Sequence, residues 1–407
     1  MSLKIFPLLF IFTLLIQSNS LLFQDILFRK SIENNPGKNI MISPYSLYKI
    51  LSLLSNGSIN NTQKEILQLL FPNKNIDNSL LQKINSNIIQ TQLNIESENI
   101  IDNSNPNNCK DGECKVSLKE ANAIFMRNYI QLKDEFKEVC DNYKNSYFKL
   151  IDVEQINKFC AENTDGKIDH IINNIDILTQ LLLVNVLYFK GTWLKKFGEK
   201  TTKKKYFLNY DNTKVEVDTM YKYFENIMFY EDNNVQIISL PYISNKLNFE
   251  MVIIKPNLNK YSSPLDYLNK ENINFSDIYS KLKSTKNVYL YLPKFSFKSN
   301  FDIKKVLIDL GMISAFDSSK ANLDNIIHGT YIGQFLHQTF INVTENGTEA
   351  SAATVVEIRT NGTSLFSKEK YYMHVNNSFI FMIQSNKIND FDNNYLMPFI
   401  GIVNNLK

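Results

Sequence analysis

The sequence predicts an α+β fold in one domain, and three observations carry that prediction. Apolar residues recur at helical spacing through the first third. After Thr179 they recur in short runs rich in aromatic and β-branched residues. Helices and strands do not alternate regularly, and no internal repeat appears. The chain has 407 residues and is 44% hydrophobic, ample for a large core and too apolar for disorder. Length alone would allow two or three domains, but large single domains reach this size.

Residues 43–54, 62–70 and 80–93 carry helical patterns. Ser43-Pro44 makes a good start for the first, a capping hydroxyl followed by proline in the first turn. Residues 96–115, rich in Asn, Ser and Asp, read as a surface loop. Helices resume at 133–143 and 153–172. The nearly continuous apolar run 181–189 predicts a fully buried strand. Residues 206–254 predict a meander of antiparallel strands, and 288–297 another strand. Residues 303–310 read as a helix stopped by Gly311. Strands at 379–384 and 397–403 close the chain.

Residues 1–20 stand apart from the fold. Lys4 gives a positive start, residues 5–16 are almost wholly apolar, and Ser18-Asn19-Ser20 offers small residues for cleavage. This is the layout of a secretory signal peptide, its apolar run being too short to span a bilayer. The rival reading is an uncleaved anchor. No other segment approaches a membrane span, so a soluble, secreted, extracellular chain is expected, with residues 21–407 as its folded domain.

The formal charge of +3 gives no global field for nucleic acid. Lys195, Lys196, Lys200, Lys203, Lys204 and Lys205 read as a solvated face, with no aromatic stacking platform beside them. Four cysteines suit a secreted protein without a dense disulfide frame. Cys109 and Cys114 are candidates for a small ring; Cys140 and Cys160 read as buried thiols or as a second pair. Neither metal nor cofactor is expected, since His is scarce and no CxxC or HExxH spacing occurs.

Gly347, Thr348, Glu349, Ala350, Ser351, Ala352, Ala353 and Thr354 lack the large side chains of neighbouring strands. At period two, one face carries Thr348, Ala350, Ala352, Thr354, Val356 and Ile358, small and then apolar. The other carries Glu349, Ser351, Ala353, Val355, Glu357 and Arg359, largely polar. That is a strand able to slip into a crowded sheet, or a flexible linker.

The string Glu345 to Thr354 resembles the hinge of the serpin reactive-centre loop, Glu-x-Gly-Thr-Glu-Ala-x-Ala-Ala-Thr. The resemblance runs from about Asn39 to Asn404. Asn39-Ile-Met-Ile-Ser-Pro-Tyr-Ser46 is similar to the start of the family's second helix, with Gly57 and Thr62 beyond it at family spacing. Asn122-Ala-Ile-Phe125 resembles an early strand, and residues 156–168 resemble the helix that crosses the main sheet. Leu183-Val-Asn-Val-Leu-Tyr-Phe-Lys-Gly-Thr-Trp193, Tyr291-Leu-Pro-Lys-Phe295, Gly311-Met-Ile-Ser-Ala-Phe316 and His337 complete the set.

This resemblance implies a serpin fold, helices on three antiparallel-rich sheets with an exposed loop at about 345–375. It implies a monomeric, non-catalytic inhibitor whose partner is an extracellular peptidase of the serine class. Ser43, Ser46, Asn185 and His337 would form the shutter, a polar cluster under the centre of the main sheet. Trp193, Lys294 and Glu345 would form the breach, where the loop first enters. A peptidase would attack the loop, form an acyl-enzyme and be carried along as the hinge inserts.

Family spacing puts the residue before the cleaved bond at Asn361, followed by Gly362; Asn would suit a legumain-like cysteine peptidase. Arg359, followed by Thr360, is the attractive bait for a trypsin-like enzyme. The loop runs several residues long, so Leu365, Phe366, Lys368 and Lys370 stay open. Sequons stand at Asn56, Asn60, Asn274, Asn342, Asn346, Asn361 and Asn376. Glycans on Asn346 and Asn361 would hinder insertion and shield the bait. Ser378 and Asn405 replace family prolines, which predicts looser local structure. A non-inhibitory carrier or chaperone is the second reading. An enzyme is the third, without a GxSxG, HExxH or phosphate loop to support it.

Overall fold

The computed structural model describes residues 22–407 except 73, 75, 77, 100–115, 149–150, 245, 349–368 and 386–395. Its strands in chain order are Ile40–Ile42 (β1), Ser117–Met126 (β2), Ser146–Phe148 (β3), Leu181–Thr192 (β4), Lys203–Leu208 (β5), Lys214–Glu231 (β6), Val235–Pro241 (β7), Phe249–Pro256 (β8), Lys283–Pro293 (β9), Phe295–Asn300 (β10), Ile332–Val343 (β11), Gly347–Thr348 (β12), Tyr371–His374 (β13), Phe379–Ser385 (β14) and Leu396–Val403 (β15). Its helices are Phe23–Glu33 (α1), Pro44–Gly57 (α2), Asn60–Leu70 (α3), Asn78–Asn99 (α4), Asp134–Asn142 (α5), Val153–Asn163 (α6), Pro264–Lys270 (α7), Phe275–Ser280 (α8) and Ile303–Asp309 (α9).

The apolar run of β4 is explained by its neighbours. Almost every β4 residue is buried: Leu182, Val184 and Val186 pack with Ile156 and Cys160 of α6, while Leu181 and Leu183 pack with α2 and Leu187 and Phe189 with the second sheet. β2 pairs with β4 antiparallel from Ser117↔Lys190 to Met126↔Leu181. β11 pairs with it in parallel, from Ile332↔Leu181 to Phe340↔Tyr188. β10 closes one edge and β3 the other. The expected meander forms as β5, β6, β7 and β8, antiparallel in succession.

Hydrogen bonds join the described strands into two sheets rather than three. The cause is the length of β6. Its residues 214–219 pair with β5, residues 219–229 pair with β9, and its last three residues pair with β7, so what would be two sheets becomes one of nine strands. The strand expected at 288–297 is two. Lys294 donates its backbone N–H to the Asp218 carbonyl at 2.8 Å, and the chain leaves β9 of one sheet to enter β10 of the other.

Two helices also differ from expectation. The helix expected over 153–172 stops at Asn163, because Asp165 and Gly166 adopt φ of 51° and 73°, left-handed values that end a helix. Thr164 ties off the end, donating to the Cys160 carbonyl at 2.7 Å and accepting from Ile168 N–H at 3.0 Å. The helix expected over 80–93 runs on to Asn99, so the start of the expected 96–115 loop is helical. Elsewhere Ser43 caps α2 as its sequence predicts, accepting from Ser46 N–H at 3.1 Å.

Cys140 and Cys160 are free and buried in separate clusters, and burial pushes both thiols up to about 12. Cys109, Cys114 and residues 1–20 lie outside the described residues. Asn405 is tied rather than loose: its N–H donates to Asn39 Oδ1 and its side chain to the Gly37 carbonyl. Lys205 does meet an aromatic ring, with Nζ 3.9 Å from the centre of Tyr291. No described helix is long and apolar enough to cross a membrane.

Candidate functional site

The seam between β4 and β11 brings most of the predicted residues together. Parallel pairing puts His337 opposite Asn185, and antiparallel pairing puts Asn122 opposite Asn185 on the other side. All three are buried. Beneath them lies the first turn of α2, set by the Ser43 cap and Pro44.

Hydrogen bonds fix the protons of this cluster. Ser43 donates its backbone N–H to His337 Nε2 at 3.3 Å, so that nitrogen is an acceptor. His337 Nδ1 therefore carries the proton and donates to Asn185 Oδ1 at 2.6 Å. Asn185 Nδ2 donates to Ser46 Oγ and to Asn122 Oδ1, both at 2.5 Å. Burial lowers His337 to about 3, so the ring stays neutral.

Sequence reasoning missed the continuation of this chain of bonds. Asn122 donates to Glu120, and Lys49 Nζ holds the other Glu120 oxygen at 3.1 Å, with the lysine side chain only 5% exposed. A signal was present. Lys49 is the one charged residue of α2, one turn beyond Ser46 on the same face.

At the upper end of the seam the pairing changes. β12 sits between the two strands: Thr348 pairs with Val343 of β11 and with Gly191 of β4, antiparallel to both. A tight turn delivers it, with Thr344 N–H donating to the Gly347 carbonyl at 2.8 Å. Gly347 is required there. Its φ is 153°, and a Cβ would stand 2.0 Å from the Gly191 carbonyl oxygen.

Trp193 grips that turn. Its backbone N–H donates to the Asn346 carbonyl at 3.0 Å and its Nε1 to the Thr344 carbonyl at 2.9 Å. Its ring is buried and stacks on Tyr242, centres 4.5 Å apart. The Tyr242 hydroxyl in turn shares a 2.7 Å hydrogen bond with Thr348 Oγ1. Glu345 lies beside it, its carboxylate paired with Lys294 at 3.0 Å and accepting from Thr202 Oγ1 at 2.8 Å. Burial works to raise Glu345, but its own backbone N–H, Thr202 and Lys294 outweigh that and hold it below the ordinary value. Thr202 and Tyr242 were not foreseen, and Gly191 only as a member of the 183–193 string.

A family model described as serpin (serine protease inhibitor) matches residues 19–403. The chain belongs to the serpin family. Among relatives, a leukocyte elastase inhibitor of Xenopus tropicalis is 27% identical over 88% of this chain and 93% of its own. Human serpin B8 is 28% identical over 89% and 93%. An uncharacterized serpin-like protein of Methanosarcina acetivorans is 27% identical over 88% and 80%. The thermophilic serpin tengpin in its native state superposes with a TM-score of 0.78 at 26% identity, covering 100% of this chain and 96% of that one.

Within this serpin, Ser43, Ser46, Asn185 and His337 form one cluster, and Trp193, Lys294, Glu345, Gly347 and Thr348 a second. Glu349, Ala350, Ser351, Ala352, Ala353, Thr354, Arg359, Thr360, Asn361 and Gly362 lie outside the described residues. Six sequons are described. Asn60 and Asn376 are exposed, and Asn342 is half-buried within β11. Asn346 is buried, as is Asn274, which caps α8. Asn56 is half-buried with both amide atoms engaged by Ser52, Asn85 and Tyr143.

Proposed function

We propose that this serpin is a secreted suicide-substrate inhibitor of serine endopeptidases of trypsin-like type. The observation that carries the reading is β12. A strand running antiparallel to both β4 and β11 already occupies the top of their seam, in the place a longer inserted strand would continue. Serpin loop insertion is an established instance of strand addition to a sheet.

The peptidase's serine attacks the carbonyl of the bait residue between Ile358 and Lys370. The bait is Arg359 or Asn361; Arg359 fits the trypsin-like class, and Asn361 would instead fit a legumain-like enzyme. The C-terminal fragment leaves as an amine, and the peptidase stays bound as an ester. Residues after Thr348 then enter the seam. Some 16 residues at ~3.3 Å each reach roughly 50 Å, which carries the peptidase the length of the sheet. Small residues from Ala350 to Ala353 suit fast entry, since insertion must outrun ester hydrolysis. The shutter cluster is the part that must change partners as the strand passes Asn185 and His337. Residues 1–20 direct secretion, and exposed Asn60 and Asn376 are the sequons best placed for glycans. The inhibitor acts as a monomer and is consumed once per target.

The test is incubation of the full chain with a panel containing trypsin-like and Asn-specific endopeptidases. A complex that survives denaturing electrophoresis, with a released peptide beginning at Thr360 or Gly362, is expected. Clean loop cleavage with no such complex from any peptidase contradicts inhibition and favours a carrier role.

A further inference from the structure

Behind Trp193 lies a cavity of about 310 Å³ whose walls are mainly apolar: Trp193, Phe197, Phe224, Ile227 and Leu240. Its polar features are few, which is the ordinary construction of a small-molecule site. One of them is unusual. Glu250 lines the cavity and is 6% exposed, yet among the described residues no cation pairs with it. Its oxygens accept only from neutral groups, Ser239 Oγ at 2.5 Å and Gln384 Nε2 at 3.2 Å. Gln384 Oε1, also buried, has no partner. A buried carboxylate without a cation is costly, and a cation delivered by a ligand would relieve that cost.

We infer that this cavity binds a small organic cation, an amine or amidinium on an apolar body, with the charge seated on Glu250. Exposed Leu194, Lys195, Met228 and Ser284 surround its mouth, so a ligand can enter from solvent. The ligand's body would press on Trp193 and Phe197. These are the residues whose backbone N–H groups hold the Asn346 and Glu345 carbonyls, at 3.0 and 2.9 Å. Occupancy therefore fastens the turn that starts β12 and slows insertion, a consequence that rests on the inhibitor reading above.

Trp193 is the chain's single tryptophan, so its emission reports the site directly. The full chain is titrated at neutral pH with 4-phenylbutylamine and with its neutral counterpart 4-phenylbutanol. The amine is expected to saturate the signal about tenfold tighter than the alcohol, the usual advantage of a charged hydrogen bond over a neutral one. Glu250→Gln should erase that preference. Should Glu250→Gln fail to fold, Ser239→Ala serves. It removes a neutral donor competing for the carboxylate and should widen the preference. Equal binding of amine and alcohol, an unchanged preference in the folded variants, or no saturable signal overturns the site. Binding without slower complex formation overturns the regulatory consequence alone. Failure of the unliganded protein to trap any peptidase counts against the inhibitor reading and leaves the site standing.

Discussion

At its upper end the β4–β11 seam is held apart by Gly347 and Thr348, while at its middle Asn185 and His337 close it with a 2.6 Å hydrogen bond. The upper end uses aromatic stacking and an ion pair, contacts that stay in place when a strand lies between β4 and β11. The middle uses neutral bonds that cross the seam and must be given up for a strand to pass. The difference teaches where the resistance to insertion lies. If the loop inserts as proposed, the entrance is already built, and the barrier is a polar network that has to be broken and re-paired.

The sharpest way to break this contrast is at the entrance. Trp193→Ala removes a buried ring and its hold on the turn, and should cost about 3–5 kcal/mol in urea unfolding followed by circular dichroism. His337→Ala is next. It strands the Ser43 N–H and Asn185 Oδ1, and about 2–4 kcal/mol should be lost in the same assay. Under the inhibitor reading the two variants should part in kinetics, because His337→Ala also removes a bond that closes the seam: spontaneous insertion should quicken there and not in Trp193→Ala.

His337 also gives the middle a pH signature. The unfolded chain takes up this proton below about 6.5, whereas burial lowers the folded value to about 3. The unfolded state thus binds the extra proton between those values, and stability falls as pH drops from 6.5 to 3. His337→Gln should flatten that part of the stability profile. An unchanged slope would place the pH dependence elsewhere.

Smaller effects lie at the turn and the ion pair. Gly347→Ala forces a Cβ against Gly191, and the strain of about 1–3 kcal/mol should push β12 out of the seam. Peptidase challenge should then give cleaved protein in place of complex. Lys294→Ala is the mildest, about 1 kcal/mol, since the lysine side chain is 36% exposed and Thr202 still serves Glu345. Glu345 sits below its ordinary value of 4.5, so its contribution is present above that pH and is lost as pH falls past the folded value. In Lys294→Ala that loss should begin at higher pH.

Much of this was legible in the sequence, for identifiable reasons. The β4 run is apolar on both faces, and Ser43-Pro44 is a local capping signal, so both appear where expected. β11 was not foreseen, because Gly333, Gln334, His337 and Gln338 interrupt the apolar pattern of residues 332–343. The β9–β10 division escaped for the same kind of reason. Residues 288–297 read as one strand, and the break at Lys294, whose N–H bonds to the Asp218 carbonyl, appears only in the fold. In the site, the cluster of Ser43, Ser46, Asn185 and His337 was anticipated, whereas Asn122, Glu120 and Lys49 extend it; the lone charge of Lys49 on α2 was the one signal, and its pairing with Glu120, 71 residues away in sequence, shows only in the fold. Glycine at 347 was legible as a motif, and its reason, the close approach of Gly191, is visible only in three dimensions.

The most direct test is the heat stability of the chain before and after a single nick between Ile358 and Lys370. If the seam between β4 and β11 is the path of insertion, the nicked chain gains a full central strand. Its unfolding temperature should then rise by about 10 °C or more, the shift expected for several kcal/mol of added stability in a domain of this size. An unchanged or lower unfolding temperature, with the His337–Asn185 bond still in place, would contradict the account.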